Sequence, residues 1–321
     1  MNLFGDDDWK RSDDPDVAAL SHEDGGDPYA AVRRKAEALL AQLDEFAPDP
    51  VPPLARIKSL ASLAGFAVRP AADGMLGTKG RAAMFIPPNA AGGHGQIVYD
   101  ANLSTGRIIY SIAHEIVHSF FPNSNAGVQF RSIHAGSSKP GRQLEMLCEY
   151  GASLLVMPAE EFLDAADRHG FGLAHVESIR RPFGTSFEAT TYRLAEIAAF
   201  PAAAVKFKFR LAKKDFNTKP ALGQLFPMPD PAAVQPKYRC QTSRRSSSFR
   251  GLIPYNKSVP ETSVVYLAGA NHGIYRAVET LTFSGRTAVT YRVEAMRAPF
   301  QPADADPNHP DILALFWIVS D

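Results

Sequence analysis

Arg107-Ile-Ile-Tyr-Ser-Ile-Ala-His-Glu-Ile-Val-His118 is the stretch whose reading decides the fold. Ile108, Ile109, Ile112, Ile116, Val117 and Phe120 recur at the helical period and Pro122 closes the run, so Thr105 to Phe121 is expected to be one helix. His114 and His118, four residues apart, project from the same face of that helix, and their ring nitrogens suit two corners of a zinc tetrahedron. Glu115 follows the first histidine and lies beside the open corner. There its carboxylate can take a proton from a water that zinc acidifies from a pKa of about 15.7 to about 7, while the metal polarises a scissile carbonyl. The chemistry expected is peptide-bond hydrolysis with one Zn2+ per chain.

The third protein ligand must come from another element. Zincins that draw it from the same stretch need a glycine at position 121 and a histidine at position 124, where this chain has Phe121 and Ser124. Glu145 fits instead, because it opens an amphipathic segment, Leu144 to Met157, that ends at Pro158. Glu149, one turn on, would accept a hydrogen bond from the far ring nitrogen of a ligand histidine, and the roles of Glu145 and Glu149 can be exchanged. His134 is a competing ligand, and Cys148 is assigned to the core. Tyr150, Tyr192, His134 and Arg181 are all candidates to stabilise the oxyanion, and the sequence leaves that choice open.

Upstream of this stretch, Asp27-Pro28 is a helix start, with a capping carboxylate and a proline at the first helical position, and the helix should end near Phe46. A second helix is expected from Leu54 to Ala64, then short strands at Phe66 to Val68, Ala82 to Ile86 and Gln96 to Tyr99, the last two forming a hairpin. Downstream, a helix should run from Pro158 to about Arg168, followed by His175 to Arg181 and Phe187 to Ala199 around a break at Pro182-Phe183-Gly184. Tyr238 to Thr242, Ser263 to Leu267, Ile274 to Phe283, Ala288 to Met296 and Ile312 to Ser320 are β-branched or aromatic runs and are read as strands. The class is therefore α+β. A zincin-like peptidase domain over 28–160 is followed by a helical, helix-turn-helix-like extension packed on it over 161–212. A basic linker and β-rich sensor or regulatory domain occupy 213–321.

The chain has 321 residues, with 34 Lys plus Arg against 34 Asp plus Glu, so no net field recruits nucleic acid or an acidic membrane. The balance hides a polarity. Residues 1–27 are acidic and are read as a disordered tail, whereas Lys206 to Arg250 is strongly basic. Two cysteines, Cys148 and Cys240, make no disulfide framework, and neither a signal peptide nor a membrane span is apparent, so a cytoplasmic, membrane-free setting is expected. Phe207, Phe209, Phe216, Phe226, Tyr238 and Phe249 lie among the cations of the basic stretch, a composition suited to single-stranded DNA. Lys213, Lys214, Arg239, Arg244, Arg245 and Arg250 are the candidate contacts, against a plain reading of solvated cations with the aromatics packed inward. Cys240 is also weighed as a regulatory thiolate that caps zinc, against a buried structural thiol.

The string ending in His118, with Glu145-Met-Leu-Cys-Glu-Tyr-Gly-Ala-Ser-Leu-Leu-Val-Met-Pro158, resembles the bacterial ImmA/IrrE family of zinc metallopeptidases. The resemblance covers roughly 30–200. In that family a zinc-binding glutamate precedes a helix of small residues ending in Leu-Met-Pro or similar, the place that Glu145 holds here, and position 149 usually carries asparagine rather than Glu149. The resemblance implies a gluzincin-type protease that cuts helix-turn-helix repressors, releasing genes for DNA-damage responses, mobile-element excision or phage defence. Its protein substrate would be a repressor, and single-stranded DNA is the candidate activator of this chain. Two other functions compete: a DNA-binding regulator with a structural zinc site, using Val176 to Ala199 as helix-turn-helix, and an inactive peptidase scaffold that binds a repressor. Arg193 is the only base-reading cation on the would-be recognition helix, and Glu115 retains the general base; both points favour the enzyme.

Overall fold

The computed structural model describes residues 14–23, 26–47, 51–76, 81–87, 93–121, 129–132, 139–212, 235–249, 253–283, 288–302 and 306–318. They fall into two compact units, one comprising Met1–Ala165 with Ile179–Ser186, the other Ala166–Ser178 with Phe187–Asp321. Both units mix helices with a sheet, which makes the chain α+β. Among the described residues, no helix is long and apolar enough to cross a membrane.

The first unit opens with α1 (Pro15–Glu23) and α2 (Pro28–Phe46). Asp27 caps α2 by accepting hydrogen bonds from the amides of Tyr29 at 2.9 Å and Ala30 at 3.2 Å. The acidic tail expected to be disordered holds α1 within it. Asp14 accepts from the amides of Asp16 and Val17, and Val17 and Leu20 are buried. An acidic composition did not prevent folding here because the few apolar residues share one helical face, which α2 covers.

After α3 (Pro53–Leu63) come β1 (Phe66–Pro70), β2 (Arg81–Ile86) and β3 (Gly95–Tyr99). The helix that carries the histidines is α4 (Thr105–His118), followed by β4 (Gln129–Ser132) and α5 (Lys139–Val156). The sheet order is β1-β3-β2-β4, with β1 parallel to β3 and the other pairs antiparallel; β2 and β3 form the expected hairpin. Every residue of α4 from Ser111 to His118 is buried. A helix enclosed on all sides is a central one, and α3, α5, β2 and β3 all pack against it.

Gly151 sets the approach of α5 to α4. A Cβ there would lie 2.7 Å from a methyl of Val117 and 2.8 Å from one of Val32, closer than packed carbons come. Replacing Gly151 with Val is expected to destabilise the chain by about 1–3 kcal/mol through overpacking, read as a lower denaturant midpoint. Beyond α5, the unit includes most of α6 (Ala159–His169) and a 3-10 turn, Arg181–Phe183, where Phe162 and Phe183 pack at 5.3 Å. Gly184 ends that turn at φ +62, a left-handed conformation that favours glycine.

The second unit is built on a five-stranded antiparallel sheet. Its strands are β5 (Ala202–Arg210), β6 (Lys237–Arg245), β7 (Tyr275–Leu281), β8 (Val289–Arg297) and β9 (Ile312–Ile318), in the order β6-β5-β9-β8-β7. One face carries a core of Val205, Phe207, Tyr238, Cys240, Val293, Ala314 and Phe316. Burying a side chain such as Val205, Val293, Phe207 or Phe316 stabilises the fold by about 1.5–3 kcal/mol relative to exposure. α7 (Val176–Arg180) is followed in the chain by α8 (Phe187–Ile197), which packs on β5 and β6.

Two expectations fail in this unit. The helical extension does not reach residue 212, because β5 spans Ala202–Arg210 with Val205 and Phe207 inward and Lys206 and Lys208 on the other side, the period of a strand. Ser263 to Leu267 is not a strand but the start of α9 (Val264–Ala270). The Ser263 hydroxyl caps that helix by accepting from the Val265 amide at 3.3 Å, and Val264, Val265 and Ala268 turn into the core together. The cap and burial override the strand preference of two valines.

Candidate metal centre

His114 is 1% exposed, Glu115 0% and His118 3%, all in the C-terminal part of α4. The Nε2 atoms of the two histidines stand 3.1 Å apart. Glu145, in the part of α5 that crosses this face of α4, brings one carboxylate oxygen to 3.2 Å from His114 Nε2 and the other to 3.7 Å from His118 Nε2. Two nitrogens bound to one tetrahedral zinc at about 2.0–2.1 Å are themselves about 3.3–3.4 Å apart, so the three groups fit a single ion. The donor set, two imidazoles and a carboxylate with a fourth corner left for water or substrate, suits catalytic zinc better than structural zinc.

A second grouping overlaps this one. Among the described residues, ligand atoms of His114, His118 and Cys148 all lie within 4.8 Å of one another. The Cys148 sulfur, however, is 3.5 Å from His118 Nδ1, the nitrogen that does not face His114 and Glu145. Glu145 therefore stands on the side where the Nε2 atoms converge, and Cys148 stands behind the ring. This is the feature that the sequence reading missed by assigning Cys148 to the core alone. Its signal was the spacing, since residues three apart on a helix share a face.

Glu149 is exposed on α5, and its backbone carbonyl accepts a hydrogen bond from the Tyr110 hydroxyl at 3.1 Å. At His118, the ring nitrogen that faces away from His114 and Glu145 is met by the Cys148 sulfur. Tyr150 is turned toward α2: its hydroxyl accepts from Arg33 Nε at 3.1 Å and its ring meets Tyr29 edge-on at 5.2 Å. That hydrogen bond is the first cause of a raised pKa at Arg33. Arg181 is exposed on the 3-10 turn. Tyr192 belongs to the other unit, where its hydroxyl donates to Glu188 at 3.0 Å and burial raises its pKa well above the ordinary value. His134 lies outside the described residues.

The residues singled out in the second unit form part of its own framework. Cys240 is 1% exposed in the core, with its sulfur 3.8 Å from the Ile253 carbonyl, and burial pushes its thiol up to about 12. A zinc-capping thiolate needs access and a lowered pKa, so that role does not fit. Between the unfolded thiol value of about 8.5 and the folded value, the folded chain keeps a proton that the unfolded chain has released. Stability is therefore expected to fall with rising pH above about 8.5, and the fall should lessen in Cys240→Ala, as read from denaturant midpoints.

Phe207, Tyr238 and Phe249 also sit in this core and offer no platform for bases. Arg239 donates to the carbonyls of Arg210 and Asn256, and Arg244 lies 3.6 Å from the buried carboxylate of Glu196. Arg245 ends β6, while Lys213, Lys214, Arg250, Phe216 and Phe226 lie outside the described residues. In α8, Arg193 is 5% exposed and 3.8 Å from Glu196, so it does not read bases as the exposed cation of a recognition helix would.

Residues 76–195 match the model of the peptidase M78 family, described as the IrrE N-terminal-like domain. Residues 76–195 are thus similar to that domain, and the matched span holds α4 and α5 with His114, Glu115, His118 and Glu145. No curated protein matches the chain. Among solved structures, a Mycobacterium tuberculosis transcriptional regulator has a similar fold, with a TM-score of 0.54 and 16% identity over 90% of this chain and 88% of that one.

Proposed function

We propose that the chain is a zinc-dependent endopeptidase that cleaves a helix-turn-helix transcriptional repressor. The observation that carries the reading is the convergence of His114 Nε2, His118 Nε2 and the Glu145 carboxylate, next in sequence to a buried Glu115. Zinc held there supplies Lewis acidity to a water and to the scissile carbonyl. Glu115 takes the proton of the attacking water and returns it to the leaving amine. A carboxylate buried beside two histidines is suited to proton transfer rather than to apolar packing.

The peptidase class has the family match behind it, and the repressor substrate rests on the family resemblance. DNA damage or phage stress is the setting that the same resemblance implies, with action in the cytoplasm, where such a repressor resides. Single-stranded DNA, as the activating ligand, has the basic composition of the stretch in its favour but not Arg239 and Arg244, which are engaged within their own unit, nor Phe207, Tyr238 or Phe249. The regulator alternative is disfavoured by the burial of Arg193, and the inactive-scaffold alternative by Glu115.

The test is to incubate the full chain with a helix-turn-helix repressor encoded beside it, with and without single-stranded DNA and with and without chelator, and to follow the repressor by mass spectrometry. A discrete cut that chelator prevents is expected. An intact repressor under every condition would count against this substrate, and cleavage that survives metal removal against the mechanism.

A further inference from the structure

We propose that Cys148 is a positioning residue of the metal centre, its sulfur accepting the Nδ1–H of His118 so that Nε2 is held free for the metal. The inference rests on the zinc reading above and deepens it. A neutral imidazole carries its proton on one nitrogen, and only the ring protonated on Nδ1 presents a lone pair at Nε2. His118 is 3% exposed, and a buried N–H is ordinarily satisfied by an acceptor close beside it. The Cys148 sulfur, itself 0% exposed, lies 3.5 Å from Nδ1. Histidine ligands usually donate that proton to a carboxylate, a backbone carbonyl or water. Sulfur is a weaker acceptor, and here it reaches the ring from α5, the helix that also supplies Glu145. One helix thereby provides a direct ligand and, three residues on, the group that orients a ligand of α4.

Two other roles for Cys148 make different predictions. As a metal ligand its sulfur would share the side of the ring that faces His114 and Glu145, and as simple core filler its chemistry would not matter. The experiment measures zinc and cobalt affinity of the full chain by competition with a chromophoric chelator, for the wild type, Cys148→Ala and Cys148→Ser. Alanine and serine leave nearly the same space, but only serine keeps an acceptor. Cys148→Ala is expected to weaken zinc binding about 10–100-fold, with Cys148→Ser recovering most of the loss. The cobalt-loaded wild type should lack thiolate-to-cobalt charge-transfer absorption in the near ultraviolet.

That absorption would make Cys148 a ligand and overturn the proposal. So would equal affinities in all three proteins, or equal losses in both variants. If a variant fails to fold, long-range proton–nitrogen spectra of the zinc-loaded wild type decide instead: a proton on His118 Nδ1 is expected, and one on Nε2 contradicts the assignment. A wild type that binds no zinc would be the failure of the metal centre itself, visible before any variant is made.

Discussion

Replacing Glu115 with Gln should lower the rate of repressor cleavage by about 10²–10⁴-fold while one zinc per chain is retained. The amide has nearly the shape of the carboxylate but cannot accept the proton of the attacking water. Glu115 is 0% exposed, so a thermal scan of the variant accompanies the assay and separates a loss of chemistry from a loss of fold. The measurement is single-turnover cleavage beside metal analysis of the same preparation. Cleavage at the wild-type rate would remove Glu115 from the mechanism, and loss of zinc would mean that it acts through the ligands.

Replacing either histidine should act on the metal first. His118→Ala removes a corner of the site and also leaves the Cys148 sulfur without its ring partner, so zinc should be lost at concentrations that saturate the wild type. Zinc that binds only the folded chain stabilises it by an amount that grows with the ratio of free metal to dissociation constant, about 2.7 kcal/mol at a hundredfold excess. Thermal scans with and without added zinc should therefore separate for the wild type and coincide for His118→Ala. Glu145→Ala should behave in the same way if Glu145 binds the ion. A normal zinc-dependent shift in that variant would move the third position to Cys148, which among the described residues also stands close to the pair.

The centre was legible in the sequence to the extent that it is periodic. Residues four apart on one helix must share a face, which found His114 and His118, and the amphipathic segment after Leu144 found Glu145. The same geometry, carried one step further, places Cys148 beside Glu145 and sets Tyr150, five residues on, about 140° round the helix. That is why Cys148 backs His118 while Tyr150 faces α2.

In the second unit the misreadings share a cause. Ala202-Ala203-Ala204 has little strand preference, and the alternation of Val205 and Phe207 with Lys206 and Lys208 is too short to mark a strand by itself. What makes β5 a strand is pairing on both sides, with β6 and β9, which no local pattern shows. Lys206 then meets Glu188 at 3.0 Å and Asp311 at 3.7 Å, so a cation that reads as solvated along the chain is half of a partly buried ion pair.

The central claim is a zinc site made by α4 and α5, and metal content tests it most directly. The full chain, loaded with zinc and dialysed, should contain one zinc per molecule, and the double variant His114→Ala/His118→Ala should contain none. A wild type without stoichiometric zinc, or a double variant that keeps it, would contradict the account.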